Sequence, residues 1–265
     1  MTAVAVESRR PPSRLGSRTA TSLTHLAALV TVFGAWQLAS IGAGGAVLPG
    51  PLDAAPVFAR LLLSGDFIGP LWGSLARAGS AFVFAFLLGA AYGLAAGRSP
   101  SFEHVTRYVF QFALFANTLV LILWGLAILG HTNAIAVVVI GALAVFPTVG
   151  VYMRETIKAA DADLVDMARA YRVGRRQRAI QIYLPFLAPA MLSIARIAFS
   201  QSWKVVMLAE VFGFPGGIGW EIRQAYTAYN LSAVIAWLAF FIIALLVVEQ
   251  LIRFIDRRVI TWRES

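Results

Sequence analysis

The sequence predicts an all-α, polytopic membrane protein with six transmembrane helices and a two-helix cytoplasmic loop. Three observations carry this. The 265 residues are 59% hydrophobic and only 13% charged, with a mean hydropathy of +0.76, whereas a soluble domain carries roughly a quarter charged residues. Six apolar runs approach membrane length. The basic residues gather in the segments that six crossings place on one side.

Residues 1–22 are rich in Ser, Thr, Arg and Pro, hold Arg9, Arg10, Arg14 and Arg18, and lack the apolar content to pack, so a disordered cytoplasmic tail is expected. Residues 23–47 contain the first apolar run, about Leu23 to Ile41. Basic residues before such a run also describe a signal peptide, but its length favours an uncleaved span. Residues 48–70 contain Pro49, Pro51 and Pro56 followed by VFARLLL; they are too short to cross and suit an amphipathic helix at the periplasmic interface. A transmembrane core is expected over 71–253. Its second span runs from about Leu71 to Gly97, with Gly89, Gly93 and Gly97 on one helix face for close packing within the chain.

A polar link, RSPSFEH, leads to a third span from about Val105 to Leu129, with Gln111 and Asn117 inside it. The turn GHTN opens the fourth, about Ala134 to Tyr152. The fifth covers about Pro189 to Phe212, a Gly- and aromatic-rich loop follows, and the sixth covers about Leu231 to Leu251. Residues 254–265 form a C-terminal tail. The N-tail, the link, the loop after the fourth span and the C-tail share one side and most of the basic residues. That side is cytoplasmic by charge bias, and so are both termini. The same bias accounts for the net charge of +9, and nucleic-acid binding is set aside because the basic residues flank apolar spans.

The loop from Lys158 to Pro185 is the most distinctive stretch. Asp161, Asp163 and Asp166 precede Arg169, Arg172, Arg175, Arg176 and Arg178, which suits the dipole of a helix. Leu164, Met167, Ala168 and Tyr171 fall at i, i+3, i+4, i+7 and form an apolar face. Val173 and Gly174 can end that helix, and a second one is limited by Pro185. Anionic lipid would explain the arginines but would repel the acids; a protein partner explains both.

Enzyme chemistry finds no constellation of residues. There is no cysteine, the three histidines are far apart, and no phosphate-binding loop is present. No metal or cofactor is implied. The fifth span is the exception to apolar spans: Ser193, Arg196, Ser200, Trp203, Met207 and Glu210 alternate at steps of three and four, with Lys204 beside them. Charges are costly at a helix centre. The stripe therefore suits a translocation path, although Arg196 and Glu210 could instead reach opposite interfaces.

The loop resembles the EAA loop of binding-protein-dependent ABC importer permeases. Asp166, Met167 and Ala168 stand at the E-A-A positions, and Ile182, Leu184 and Pro185 at I-x-L-P with the family's spacing. Arg172 stands where the family has glycine, and Gly174 is placed to make the turn. Arg196-Ile197-Ala198, Trp203, Ala209-Glu210, Gly217-Ile218-Gly219 and Trp262 are similar to the nitrate, sulfonate, taurine and bicarbonate branch. The likeness spans residues 48 to 265, and FANTLVLILWG departs from it by lacking the branch's proline near Asn117. The resemblance implies a homodimeric permease of the bacterial inner membrane without a nucleotide site of its own. It implies docking of the loop into separate ABC ATPase subunits and delivery of a small anion such as a sulfonate, taurine or nitrate by a periplasmic or lipid-anchored binding protein. A stand-alone secondary transporter or channel is the alternative, disfavoured by the lack of central carboxylates in the other spans.

Overall fold

The structure, a computed structural model, describes residues 14–44, 48–130, 132–159, 174, 177 and 184–259. The described residues are helical, in the order α1 (Arg14–Ala43), α2 (Pro51–Ser64), α3 (Ile68–Arg98), α4 (Pro100–Phe115), α5 (Thr118–Leu129), α6 (Ala134–Lys158), α7 (Leu184–Phe212), α8 (Ile218–Thr227) and α9 (Leu231–Val259). Of these, α3, α6 and α9 are each long and apolar enough to cross a membrane, and α4 with α5 make one bent candidate crossing. In α1 the apolar part is shorter, Ala27–Ala43.

Helices α3, α6 and α7 form the centre of the bundle, α8 and α9 pack on α7, and α2 packs on α9. The contact between α3 and α6 is the most extensive, and small residues make it so. Ala78, Ala81, Ala85, Gly89, Gly93 and Ala96 are buried along α3. A Cβ at Gly89 would sit 2.8 Å from the Phe146 carbonyl oxygen, and one at Gly93 would sit 2.5 Å from Met153 Cβ and 2.9 Å from the Gly150 oxygen. The glycine face expected from sequence therefore packs within the chain, where close backbone approach replaces the hydrophobic driving force that lipid removes. Beside this contact, Tyr92 of α3 stacks on Phe110 of α4 with centroids 3.4 Å apart, over Gly150.

Asparagines open three helices. Asn117 Oδ1 accepts the Leu119 N–H at 2.9 Å, Asn133 Oδ1 accepts the Ile135 N–H at 2.9 Å, and Asn230 Oδ1 accepts the Ala233 N–H at 3.1 Å. Each satisfies a helix-start donor that the helix itself cannot. Gly50 and Pro51 start α2, whose Asp53 carboxylate accepts the Gly50 N–H at 2.8 Å. Its inward residues Ala54, Phe58 and Leu61 face the bundle, and Phe58 stacks on Phe240 at 4.4 Å.

Four expectations change. The third span is not one helix: α4 and α5 meet at 94° across Ala116 and Asn117. Both residues are extended, with ψ of 128° and 117°, and Asn117 caps the second piece instead of continuing the first. The RSPSFEH link shrinks to Ser99, because Pro100 is pre-set for a first helical position and Ser99 Oγ accepts the Phe102 N–H at 3.4 Å. The glycine-rich loop after α7 contains the helix α8. Lastly, α1 begins at Arg14, inside the stretch expected to be a disordered tail. A helix nucleated by its apolar part propagates cheaply into residues such as Leu15, Arg18 and Ala20.

Candidate functional site

The polar stripe of α7 separates into two groups once it is folded. Arg196, Ser200 and Met207 are half-buried and Lys204 is exposed. Trp203 and Glu210 are sealed inside the protomer, at 2% and 0% exposure. The stripe therefore does not share one exposure within the protomer. Trp203 stacks on Phe241 of α9 with centroids 5.3 Å apart, and its Nε1–H donates to the Phe241 carbonyl at 3.3 Å. It ties α7 to α9.

Glu210 is the centre of a buried node at one end of the bundle, where α3 begins and α7 ends. Arg77 of α3 donates from Nε and Nη2 to Glu210 Oε1 at 3.0 and 2.7 Å. Ser74 Oγ lies 2.9 and 2.7 Å from the two carboxylate oxygens and accepts the Ile218 N–H at 2.9 Å. The Gly219 N–H donates to Glu210 Oε2 at 3.0 Å, and Arg77 Nη2 donates to the Gly216 carbonyl at 3.2 Å. The guanidinium also lies 4.7 Å from the centroid of Phe214. Gly216 and Gly217 have φ of +104° and +98°, a conformation that glycine adopts without strain. A Cβ on Gly217 would overlap Arg77 and Glu210, and one on Gly219 would overlap the Met207 carbonyl. The Gly217-Ile218-Gly219 run thus lets the start of α8 close over a buried carboxylate, whose charge the helix N-terminus also favours.

At the opposite end, where α3 ends and α6 leads into the 158–185 loop, a second polar cluster is half-buried at Glu103 and Arg154, with Lys158 exposed. Lys158 Nζ lies 2.7 and 2.6 Å from the oxygens of Glu103 in α4, and Arg154 Nη1 lies 3.4 Å from Glu103. Arg154 also pairs with Glu155. This cluster binds the first turn of α4 to the last turns of α6.

The proposed coupling residues Leu164, Asp166, Met167, Ala168, Tyr171, Arg172 and Ile182 lie outside the described residues. Gly174 is described and exposed, and Leu184 and Pro185 begin α7. An apolar groove of about 700 Å³ lies at the break between α4 and α5, lined by residues including Asn117, Val120, Trp124 and Leu143. No group of His, Asp or Glu among the described residues could hold a metal ion.

Sequence reasoning missed Ser74 and Arg77. A signal was present: a buried charge needs a partner, Arg77 and Glu210 carry opposite signs, and the expected topology puts both near the same membrane face. Glu103 and Lys158 could have been paired the same way.

Among the described residues the protein is a helical bundle in which at least three helices are long and apolar enough to cross a membrane, the class of a polytopic membrane protein. Its particular kinship is clear: residues 78–261 match the family of binding-protein-dependent transport system inner membrane components, and the chain belongs to that family. The chain is 28% identical over 229 residues to SsuC of Bacillus subtilis, named for aliphatic sulfonates transport, with 83% of this chain and 79% of that protein covered. It is 27% identical to the bicarbonate transport system permease protein CmpB of Synechococcus elongatus, over 80% of both chains. It is 25% identical to the nitrate import permease protein NrtB of Synechocystis sp., over 88% of this chain and 87% of that one. A chain from an inward-facing structure of the MetNI methionine ABC transporter shares the fold, with a TM-score of 0.61 at 18% identity, covering 72% of this chain and 92% of that chain.

Proposed function

We propose that the chain is the six-span permease subunit of an ATP-driven ABC importer of the bacterial inner membrane, with both termini cytoplasmic. It works as a homodimer, takes a small anion such as a sulfonate, taurine or nitrate from a binding protein, and leaves ATP hydrolysis to a separate ATPase. The observation that carries the reading is the family match over 78–261, which takes in the 158–185 loop together with the helices on both sides of it. Leu164, Met167, Ala168 and Tyr171 form the docking face for the ATPase, and the flanking charges set its register. Reorientation of two discrete packings of the bundle moves the cargo. The half-buried and exposed residues of α7, namely Arg196, Ser200, Lys204 and Met207, are the candidates for the path, and two cations among them suit an anion. The relatives' sulfonate, bicarbonate and nitrate names support the same class.

The test is copurification and ATP-dependent uptake of labelled taurine, and separately of nitrate, in liposomes holding the chain with its ATPase and binding protein. Replacing Leu164 and Tyr171 by aspartate should detach the ATPase and abolish uptake with the spans still folded. A stoichiometric ATPase retained by that double variant would count against the docking face. Uptake by the chain alone under an ion gradient would instead favour a stand-alone transporter.

A further inference from the structure

The Ser74–Arg77–Glu210 node is an expensive way to hold helices together. Two charges taken out of water gain back their desolvation cost only with good geometry, and apolar residues of similar volume often hold a core at least as well. The node's geometry is good, yet its contacts are not spread evenly. Arg77 and Ser74 come from α3 and Glu210 from α7, and three of the remaining partners (the Gly216 carbonyl and the N–H groups of Ile218 and Gly219) belong to the short segment that begins α8. These bonds are directional, whereas apolar packing would allow sliding. The glycines at 217 and 219 bring the segment into contact, so that it cannot shift sideways without striking Glu210 or the Met207 backbone.

We propose that this node makes α8 a rigid extension of α3 and α7, so that the helix outside the bundle and the two spans move as one body during transport. Glu210 is then a positioning residue: it touches no cargo, and it sets where α8 stands over the end of the bundle. The inference rests on the importer reading. It assigns the node a use in the transport cycle, when the two bundle packings interchange, that a merely cohesive core would not have.

The chain contains no cysteine, so paired spin labels can be placed without removing any. Trp72→Cys on α3 and Tyr226→Cys on α8 replace exposed side chains and leave the node intact. In the complex with its ATPase, the distance between these labels should be the same in nucleotide-free and ATP-trapped states. A second set of variants adds Arg77→Met and Glu210→Met to the same labels. This double replacement should keep its helix content, with some loss of melting temperature because the Gly219 N–H and the Gly216 carbonyl lose their partners, and it should broaden the distance distribution and raise the ATP consumed per solute moved. A label distance that changes on trapping in the native node overturns the inference, as does a methionine pair with native distances and native coupling. If no ATPase copurifies, the importer reading fails and this inference falls with it. If the ATPase binds and the α3–α8 distance moves, the importer reading stands and only the rigid-body assignment is lost.

Discussion

Two polar clusters sit at opposite ends of α3, and they differ in how far the carboxylate at their centre is buried. At its start, Arg77 and Glu210 pair at 2.7 Å with the carboxylate fully buried. At its far end, Glu103 pairs with Lys158 and Arg154 at 2.6 and 3.4 Å, with its carboxylate side chain still 18% exposed and Lys158 41% exposed. The distances are similar and the consequences are not. A buried charge that loses its partner has nothing to solvate it. An exposed one is rehydrated and screened. One end of the bundle is therefore locked by construction. The other, next to the 158–185 loop, is held by contacts that can be exchanged, as suits a segment proposed to meet a partner.

The sharpest way to break this contrast is Glu210→Ala. It strands Arg77 and orphans the Ser74 hydroxyl and the Gly219 N–H, and should destabilise the fold by about 3–5 kcal/mol, read as a lower melting temperature in detergent. Gly219→Ala leaves every charge in place and adds one methyl against the Met207 carbonyl. Overpacking of that kind should cost about 1–3 kcal/mol, and a smaller loss would mean that α8 can back away from the node. Asn117→Ala removes the cap at the α4–α5 break. It should cost about 0.5–2 kcal/mol, and proteolysis or hydrogen exchange should localise the loosening to the start of α5. Glu103→Gln should have the smallest effect. Its change in melting temperature should vanish in about 1 M salt, where the screening length is about 3 Å. A Glu103→Gln effect that persists in high salt and rivals that of Glu210→Ala would erase the distinction between the two ends.

Much of the architecture could be read without coordinates because apolar runs must be helical in lipid, where every backbone group needs an internal partner. The second, fourth and fifth runs each became a helix within about two turns of the expected bounds, α3, α6 and α7, and the sixth starts where expected but continues past Leu251 to Val259 as α9. The break at Asn117 escaped notice because hydropathy stays high on both sides of it, and a single asparagine inside a span is also compatible with an unbroken helix. Helix α8 escaped because glycines at 213, 216, 217 and 219 read as a loop. Its ten residues present too short an amphipathic pattern to outweigh them. For the site, the α7 spacing marked a polar stripe but could not separate its buried members from its exposed ones. Seen along one helix, Glu210 and Lys204 are equivalent anomalies. In three dimensions, one is enclosed by groups 133 and 136 residues away and the other is exposed.

Composition and periodicity alone determined that this is a helical membrane protein and that Gly89, Gly93 and Gly97 invite a close neighbour. These are local or summed properties: the cost of unpaired backbone in lipid and the room a missing side chain leaves. Only the tertiary structure decided that α6 is that neighbour, that α4 and α5 meet at 94° where one straight helix was expected, and that Glu210 in the fifth run is enclosed by Ser74 and Arg77. Those outcomes depend on which distant groups meet, and burial of a charge is decided by its whole surroundings, not by its place in the chain.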